Sequence, residues 1–148
     1  MNILISYHTP CDIMTDDEIS QFITHVLAQE NVSDNVEVSI TFVDTYEIHD
    51  LNKQYRGIDR PTDVLSFECD GEVTDDGETL AILGDIVICP EVLASQAPEY
   101  GNTDKQELKL LLCHGCLHLL GYDHIDDDDA AVMQRREQEI LHLWRDGR

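Results

Sequence analysis

Basic residues are scarce in this sequence. Nine Lys and Arg residues stand against 31 Asp and Glu residues, so the 148-residue chain carries a formal net charge of −22. Proteins that bind nucleic acids usually present a strongly basic face, and this charge therefore argues against tight, non-specific binding to RNA or DNA. The few cations are nevertheless clustered, because Lys53, Arg56 and Arg60 fall within eight residues. Such a local patch can hold a phosphate while the remaining surface stays acidic and soluble.

Long apolar runs are also missing. No stretch approaches the roughly 18 apolar residues of a membrane helix, and the N-terminus lacks a basic region followed by an apolar one. We therefore expect neither a membrane span nor a signal peptide. The five cysteines are an odd number at irregular spacing, and we expect them to be reduced. These absences together predict a cytoplasmic protein.

The hydrophobic pattern predicts one globular domain that covers residues 1–148. The chain is 42% hydrophobic and long enough to bury a single substantial core. Alternating or continuous apolar residues predict strands at about residues 2–8, 36–44, 60–67 and 80–89. The acidic segment 68–79 is predicted to be an exposed loop. With about five helices, these strands predict an α/β (α+β) fold with a mixed sheet of about four strands and a central helix that carries His114 and His118.

Capping residues mark the ends of several predicted helices. Thr15 and Glu18 form a capping box that opens the first helix, and Gly57 is expected to end the second. Pro90 suits the first turn of a short third helix. Asp104 and Asp126 are the expected caps of the last two helices. The run Asp126–Asp129 lacks the alternating spacing of a calcium loop, so capping is preferred over metal binding there.

Three histidines stand at spacing typical of a catalytic zinc site. His114 and His118 are four residues apart, so on a helix they project from one face. Gly121 can adopt the left-handed conformation that ends a helix and lets the chain bring His124 toward the same point. Three imidazoles with an open fourth position are a common catalytic zinc environment. The sequence therefore predicts one zinc ion per chain, bound by His114, His118 and His124.

The residue after the first histidine is Gly115. The same histidine spacing occurs in the zinc-peptidase motif H-E-x-x-H-x-x-G-x-x-H, in which a glutamate at this position is the general base. Glycine cannot accept a proton, so Gly115 argues against a peptidase.

Other side chains near the motif have more than one interpretation. Cys113 and Cys116 form a C-x-x-C pair, but they lie inside a predicted helix, where buried small side chains are favoured over a redox pair. Asp85 and Asp123 are candidates to orient a ligand imidazole through its second nitrogen. A distant cysteine, Cys69 or Cys89, is an alternative fourth metal ligand that would close the site.

The segment from His114 to His124 resembles the H-G-x-L-H-L-x-G-Y-D-H signature of the YbeY family of bacterial endoribonucleases and rRNA maturation factors. Further segments are similar to those of the family in the same order, so the resemblance extends from about residue 36 to residue 140. These segments are residues 50–57, 60–67, 83–86 and 124–128.

The resemblance implies a zinc-dependent single-strand endoribonuclease, a hydrolase of phosphodiester bonds in rRNA maturation and ribosome quality control. It implies that Arg56 acts in catalysis or substrate binding, beside the metal ligand His114. A guanidinium can form hydrogen bonds with two phosphate oxygens. The alternative for Arg56 is an ion pair with a surface carboxylate. The implied partners are single-stranded RNA or rRNA, with ribosomal proteins or the small ribosomal subunit. Whether water or the ribose 2′-hydroxyl attacks stays open.

A non-cleaving, metal-stabilised ribosome assembly factor is the alternative from another functional class. The acidic surface favours it, since ribosomal proteins are mostly basic. An open coordination position argues against it, because structural zinc is normally closed by four protein ligands.

Overall fold

The computed structural model of the protein describes residues 1–123 and 126–144, which form a mixed five-stranded sheet with five α-helices. The strands are β1 (Asn2–Tyr7), β2 (Val36–Phe42), β3 (Val64–Glu68), β4 (Glu72–Asp75) and β5 (Glu78–Ile88). The helices are α1 (Asp16–Gln29), α2 (Thr45–Arg56), α3 (Pro90–Gln96), α4 (Asp104–Leu119) and α5 (Asp127–Leu143). The predicted α+β fold is confirmed. Within these ranges, no helix has the length and apolar character needed to cross a bilayer.

The sheet has the order β1-β2-β5-β3, and β4 also pairs with β5. β1, β2 and β5 run parallel, whereas β3 and β4 are antiparallel to β5. β3 therefore lies at one end of the strand order, as expected for a strand preceded by Pro61. It begins at Val64, later than the predicted residue 60, because Asp63 accepts a hydrogen bond from the Val64 amide and shapes the entry to the strand.

The prediction of a loop over residues 68–79 is wrong. β4 lies inside this segment and pairs with the start of β5, with Asp75 opposite Glu78. The two turn residues, Asp76 and Gly77, have φ values of 49° and 79°. Positive φ at both central positions is typical of a tight hairpin turn that favours Asp-Gly. Glu72, Asp76 and Glu78 are exposed, so their charges do not oppose strand formation.

Most of the predicted helix ends are confirmed. The Thr15 and Glu18 capping box opens α1, Gly57 ends α2 with a φ of 71°, and Asp126 caps α5 by accepting a hydrogen bond from the Asp129 amide. The prediction that Asp104 caps α4 is wrong. The cap is Thr103, whose hydroxyl accepts from the Gln106 amide while the Gln106 side chain accepts from the Thr103 amide. This reciprocal pair binds two helix amides that Asp104 would leave unsatisfied.

Helix α4 occupies the centre of the molecule, as predicted. It packs against β3, β5, α1 and α5. Gly115 lies where the helix meets the sheet, and a Cβ atom there would be 2.9 Å from Cγ2 of Ile86. Ile86 is fully buried in β5. The glycine thus permits close helix–sheet contact, a role that the sequence analysis did not assign to it.

Substituting Gly115 with alanine should destabilise the protein by up to about 2 kcal/mol. The added methyl group overpacks the contact with Ile86, which costs about 1–3 kcal/mol, and the better helix propensity of alanine offsets part of this loss. Denaturant unfolding would measure the change. In an Ile86→Ala background the three contacting atoms are gone, so Gly115→Ala should no longer destabilise. An equal cost in both backgrounds would show that the contact is not the cause.

Candidate active site

A cleft of about 770 Å³ lies between α4, strand β3 and the segment that follows α2. The lining includes both described histidines of the motif and two of the clustered cations. It also includes main-chain and side-chain atoms of β3. Residues of the lining that bear on function are Arg56, Arg60, Ser66, His114, His118 and Asp123.

The rings of His114 and His118 are neighbours in this cleft. Their centroids are 4.8 Å apart and their planes are inclined by 75°. Both residues are partly buried, on the face of α4 that opens to the cleft. The third predicted ligand, His124, lies outside the described residues. Among residues 1–123 and 126–144, no group of three His, Cys, Asp or Glu side chains is placed to hold a metal ion.

The chain reverses direction at Gly121, as predicted from the sequence. This residue has a φ of 100°, and the amides of Gly121 and Tyr122 donate to the carbonyl oxygens of His118 and Leu117 at 3.0 Å each. The paired bonds close the last turn of α4 and are typical of a helix that ends on glycine. The turn brings Asp123, the residue before His124, to the cleft.

Glu137 of α5 binds the first histidine of the motif. Its Oε1 lies 2.5 Å from Nδ1 of His114, and its side chain is only 7% exposed. With the carboxylate as acceptor, the proton of the imidazole lies on Nδ1 and the lone pair lies on Nε2. Carboxylates commonly orient metal-binding histidines in this way.

Glu137 is not among the site residues predicted above, although the sequence of α5 contains a signal for it. The buried residues of α5 are Met133, Glu137 and Ile140, which follow the i, i+4, i+7 pattern of an apolar stripe. An acidic residue on such a stripe must have a polar partner, because an isolated buried carboxylate is costly.

The two aspartates that were predicted to orient an imidazole lie in different places. Asp85 accepts a hydrogen bond from the Ser39 hydroxyl at 2.5 Å. Side chains alternate along β5, so Asp85 projects from the face opposite to Ile86 and α4. It is therefore not placed to orient a histidine of α4. Asp123 lines the cleft and stays a candidate.

Polar contacts anchor the turn that follows α4. Arg136 of α5 donates to the Glu30 carboxylate at 2.8 Å and to the Gln29 carbonyl oxygen at 2.6 Å. A hydrogen bond to Glu30 raises the pKa of the Tyr122 hydroxyl. Glu30 thus connects three parts of the fold, which are the end of α1, the turn after α4 and α5.

Arg56 lies in the last turn of α2 and faces the cleft. Its Nη2 donates to the Ser66 carbonyl oxygen at 2.6 Å, and its guanidinium carbon lies 5.4 Å from the centre of the Phe67 ring. The ion pairs found among the described residues do not include Arg56. This lack of a carboxylate partner among the described residues weakens the alternative that Arg56 forms a surface ion pair.

The predicted cation patch is only partly assembled at the cleft. Arg56 and Arg60 line it, whereas Lys53 is not part of the lining. A hydrogen bond from His49, together with the charge of Lys53, lowers the pKa of Asp59. Lys53 therefore acts on a neighbouring carboxylate, and within the described part of the chain Arg56 and Arg60 are the positive charges of the cleft wall.

The cysteines of α4 are buried thiols. Burial raises the pKa of both Cys113 and Cys116, the latter to about 12, so they stay protonated at neutral pH. A redox pair needs an accessible thiolate, which this environment does not provide. Cys69 is exposed, Cys89 is buried in an apolar cluster with Ile48 and Val87, and neither lines the cleft. The described geometry therefore offers no support for a closing cysteine ligand.

The chain matches known proteins over nearly its whole length. A sequence model of the family described as "Endoribonuclease YbeY" matches residues 6–145. A protein named endoribonuclease YbeY from Thermoanaerobacter sp. (strain X514) is 43% identical, with 100% of both chains covered. One of the same name from Pelotomaculum thermopropionicum is 49% identical over 78% of this chain and 77% of its own.

A solved structure shares the fold. The solution structure of TM1509 from Thermotoga maritima has a TM-score of 0.64 and 30% sequence identity, and it covers 95% of this chain and 87% of that chain. The shared fold and the match across the chain agree with the resemblance seen in the motif. The protein belongs to the endoribonuclease YbeY family.

Proposed function

We propose that the protein is a zinc-dependent endoribonuclease that cuts single-stranded RNA in rRNA maturation and ribosome quality control. The observation that carries the proposal is one cleft that combines His114 and His118 with Arg56. These residues are far apart in the sequence, and the fold brings two imidazoles and one guanidinium to the lining of the same cleft. The relatives' names supply the reaction class.

The side chains present suit a zinc ion. Under the proposal, His114, His118 and His124 hold one ion per chain, with Glu137 fixing the ring of His114 from behind. When bound, the metal would supply Lewis acidity toward a phosphoryl oxygen and lower the pKa of a water molecule toward 7. Neither Cys69 nor Cys89, the two candidates for a fourth protein ligand, belongs to the cleft lining, which supports an open fourth position.

Arg56 would bind the scissile phosphate. Its contacts with Ser66 and Phe67 hold the guanidinium at the cleft wall before substrate arrives. A preorganised guanidinium can bind two phosphate oxygens and stabilise the charge that builds on them in the transition state. Gly115, which packs on Ile86, stands at the motif position where zinc peptidases have their glutamate base, and this argues against peptide hydrolysis.

The cellular setting of the proposal follows the family. Residues 1–148 would form a single metal-dependent hydrolase domain in the cytoplasm, with rRNA, ribosomal proteins or the small ribosomal subunit as partners. A non-cleaving assembly factor is the second candidate, because the net charge of −22 suits a basic protein partner better than RNA.

The metal-loaded protein should cut single-stranded RNA and leave casein intact. A chelator should abolish the cleavage and added zinc should restore it, while higher salt should weaken RNA binding because phosphate contacts are electrostatic. Gel analysis of a labelled oligoribonucleotide beside a protease assay would measure both activities. Casein cleavage without RNA cleavage would favour a peptidase, and RNA binding without cleavage would favour the assembly factor.

Replacing Glu137 with glutamine should weaken zinc binding about 10- to 100-fold. The amide can still contact Nδ1 of His114, but it lacks the charge that raises the basicity of the ring. Competition with a fluorescent zinc chelator would measure the affinity. Glu139→Gln on the same helix is the matched control, since Glu139 pairs with Arg136 and does not contact a motif histidine in the described geometry. Equal affinities for both variants would contradict an orienting role for Glu137.

A further inference from the structure

An exposed aromatic ring lies beside the cleft. Tyr55 precedes Arg56 in α2 and is 58% exposed. Its ring meets the Phe67 ring at a centroid distance of 5.4 Å and an interplanar angle of 72°. Phe67 lines the cleft and also contacts the Arg56 guanidinium. Tyr55, Phe67 and Arg56 therefore form a continuous surface of two rings and one cation, which we name the aromatic wall.

Exposure alone does not distinguish Tyr55. Tyr46 is 89% exposed and Tyr100 is 66% exposed, but the ring contacts found among the described residues include neither of them. Single exposed apolar side chains are ordinary on protein surfaces. Tyr55 differs because its ring contacts that of Phe67, and because Phe67 is a residue of the cleft lining that also contacts the Arg56 guanidinium.

The charge of the chain requires a source of RNA affinity other than overall attraction. A net charge of −22 repels a polyanion at long range, and among the described residues two arginines are the cations of the cleft lining. Proteins that bind single strands combine cations along the backbone with aromatic rings on which bases stack. Stacking does not depend on net charge, so an acidic protein can use it.

We propose that the aromatic wall is a base-stacking subsite, with Tyr55 as the platform for a nucleobase next to the phosphate bound by Arg56. The inference rests on the proposed function and adds to it the means of selecting single strands. In a duplex both faces of each base are covered by neighbouring bases, so a base must be unstacked before it can lie on Tyr55. Every base has a π-face, so this subsite should tolerate different sequences.

The test uses the full-length, zinc-loaded protein and a single-stranded oligoribonucleotide that contains 2-aminopurine, whose fluorescence falls when it stacks. Tyr55→Ala should raise the RNA concentration needed for half-maximal single-turnover cleavage about 5- to 150-fold, with little change in the maximal rate. It should also remove the fluorescence quenching. Tyr55→Phe should retain both properties. Tyr46→Ala, on the same helix, is the matched control and should behave like the wild type.

The two readouts separate this inference from the proposed function. Cleavage and quenching that are unchanged in Tyr55→Ala would overturn the stacking subsite and leave the nuclease intact. Quenching that depends on Tyr55 in a protein that never cuts RNA would keep the subsite and overturn the nuclease. A wild-type protein that neither quenches nor cleaves would overturn both. A Tyr55→Ala variant that loses both maximal rate and bound metal would also overturn the stacking subsite, since Tyr55 would then support the fold.

Discussion

Replacing Arg56 with alanine should lower the RNA cleavage rate about 10²- to 10³-fold, the loss typical when one preorganised charge-stabilising donor is removed. The zinc content should not change, because the described contacts of Arg56 are with Ser66 and Phe67 and not with a histidine. The hydrogen bond and the ring contact are at an exposed residue, so their loss should cost at most about 1 kcal/mol of stability. Single-turnover cleavage, metal content and melting temperature on the same preparation would measure all three.

Two further variants sharpen this test. Arg56→Lys should recover only part of the rate, because an ammonium cannot reproduce the two-point fork of the guanidinium. Lys53→Ala removes a cation one turn earlier in α2 that does not line the cleft, and its cleavage rate should stay near that of the wild type. Equal losses in Lys53→Ala and Arg56→Ala would point to general charge attraction. Unchanged cleavage in Arg56→Ala would leave the histidines as the remaining candidates and strengthen the assembly-factor alternative.

Features of the fold that depend on local chemistry could be predicted from the sequence. The alternation of apolar and polar residues in Val36–Phe42 predicted β2 correctly. Side chains of a strand point to opposite faces in turn, and one face of β2 is buried. Thr15 marked the start of α1 because its side chain accepts a hydrogen bond from a free amide of the first turn. Gly57 marked the end of α2 because glycine readily adopts the left-handed conformation in which its amide binds carbonyl oxygens of the last turn. The predicted loop over residues 68–79 instead contains β4, because an exposed hairpin with the Asp76-Gly77 turn accepts acidic side chains on its surface.

Features that depend on tertiary contacts could not be predicted. The bond between His114 and Glu137 joins residues 23 positions apart on two helices, and the helix packing brings them together. From the sequence, Gly115 is notable only because it replaces the catalytic glutamate of zinc peptidases. The structure shows a further role, the close packing of α4 on Ile86. The placement of Arg56 in the same cleft as the histidines followed from family resemblance, since no local pattern links α2 with α4.

Replacing His118 with alanine should weaken zinc binding by more than about 100-fold. The change removes one of three proposed ligands, so its effect should exceed the 10- to 100-fold loss typical of an orienting carboxylate such as Glu137. RNA cleavage should fall with the bound metal. Elemental analysis of protein purified without a metal-affinity tag, followed by a zinc titration, would measure the loss. His8→Ala is the matched control, since His8 is an exposed histidine that contacts Glu47 away from the cleft.

Thermal unfolding distinguishes a lost ligand from a damaged helix. A metal that binds only the folded state stabilises it by about 2.7 kcal/mol at 100 times its dissociation constant, which corresponds to roughly 5–11 °C for a chain of this size. Zinc should therefore raise the melting temperature of the wild type and of His8→Ala, but not that of His118→Ala. In excess chelator the three proteins should melt within a few degrees of one another, because His118 faces the cleft and not the apolar core. A His118→Ala variant that melts far below the others in chelator would mean that this histidine supports the packing of α4. A wild-type protein that is folded, active and free of metal would overturn the zinc site altogether.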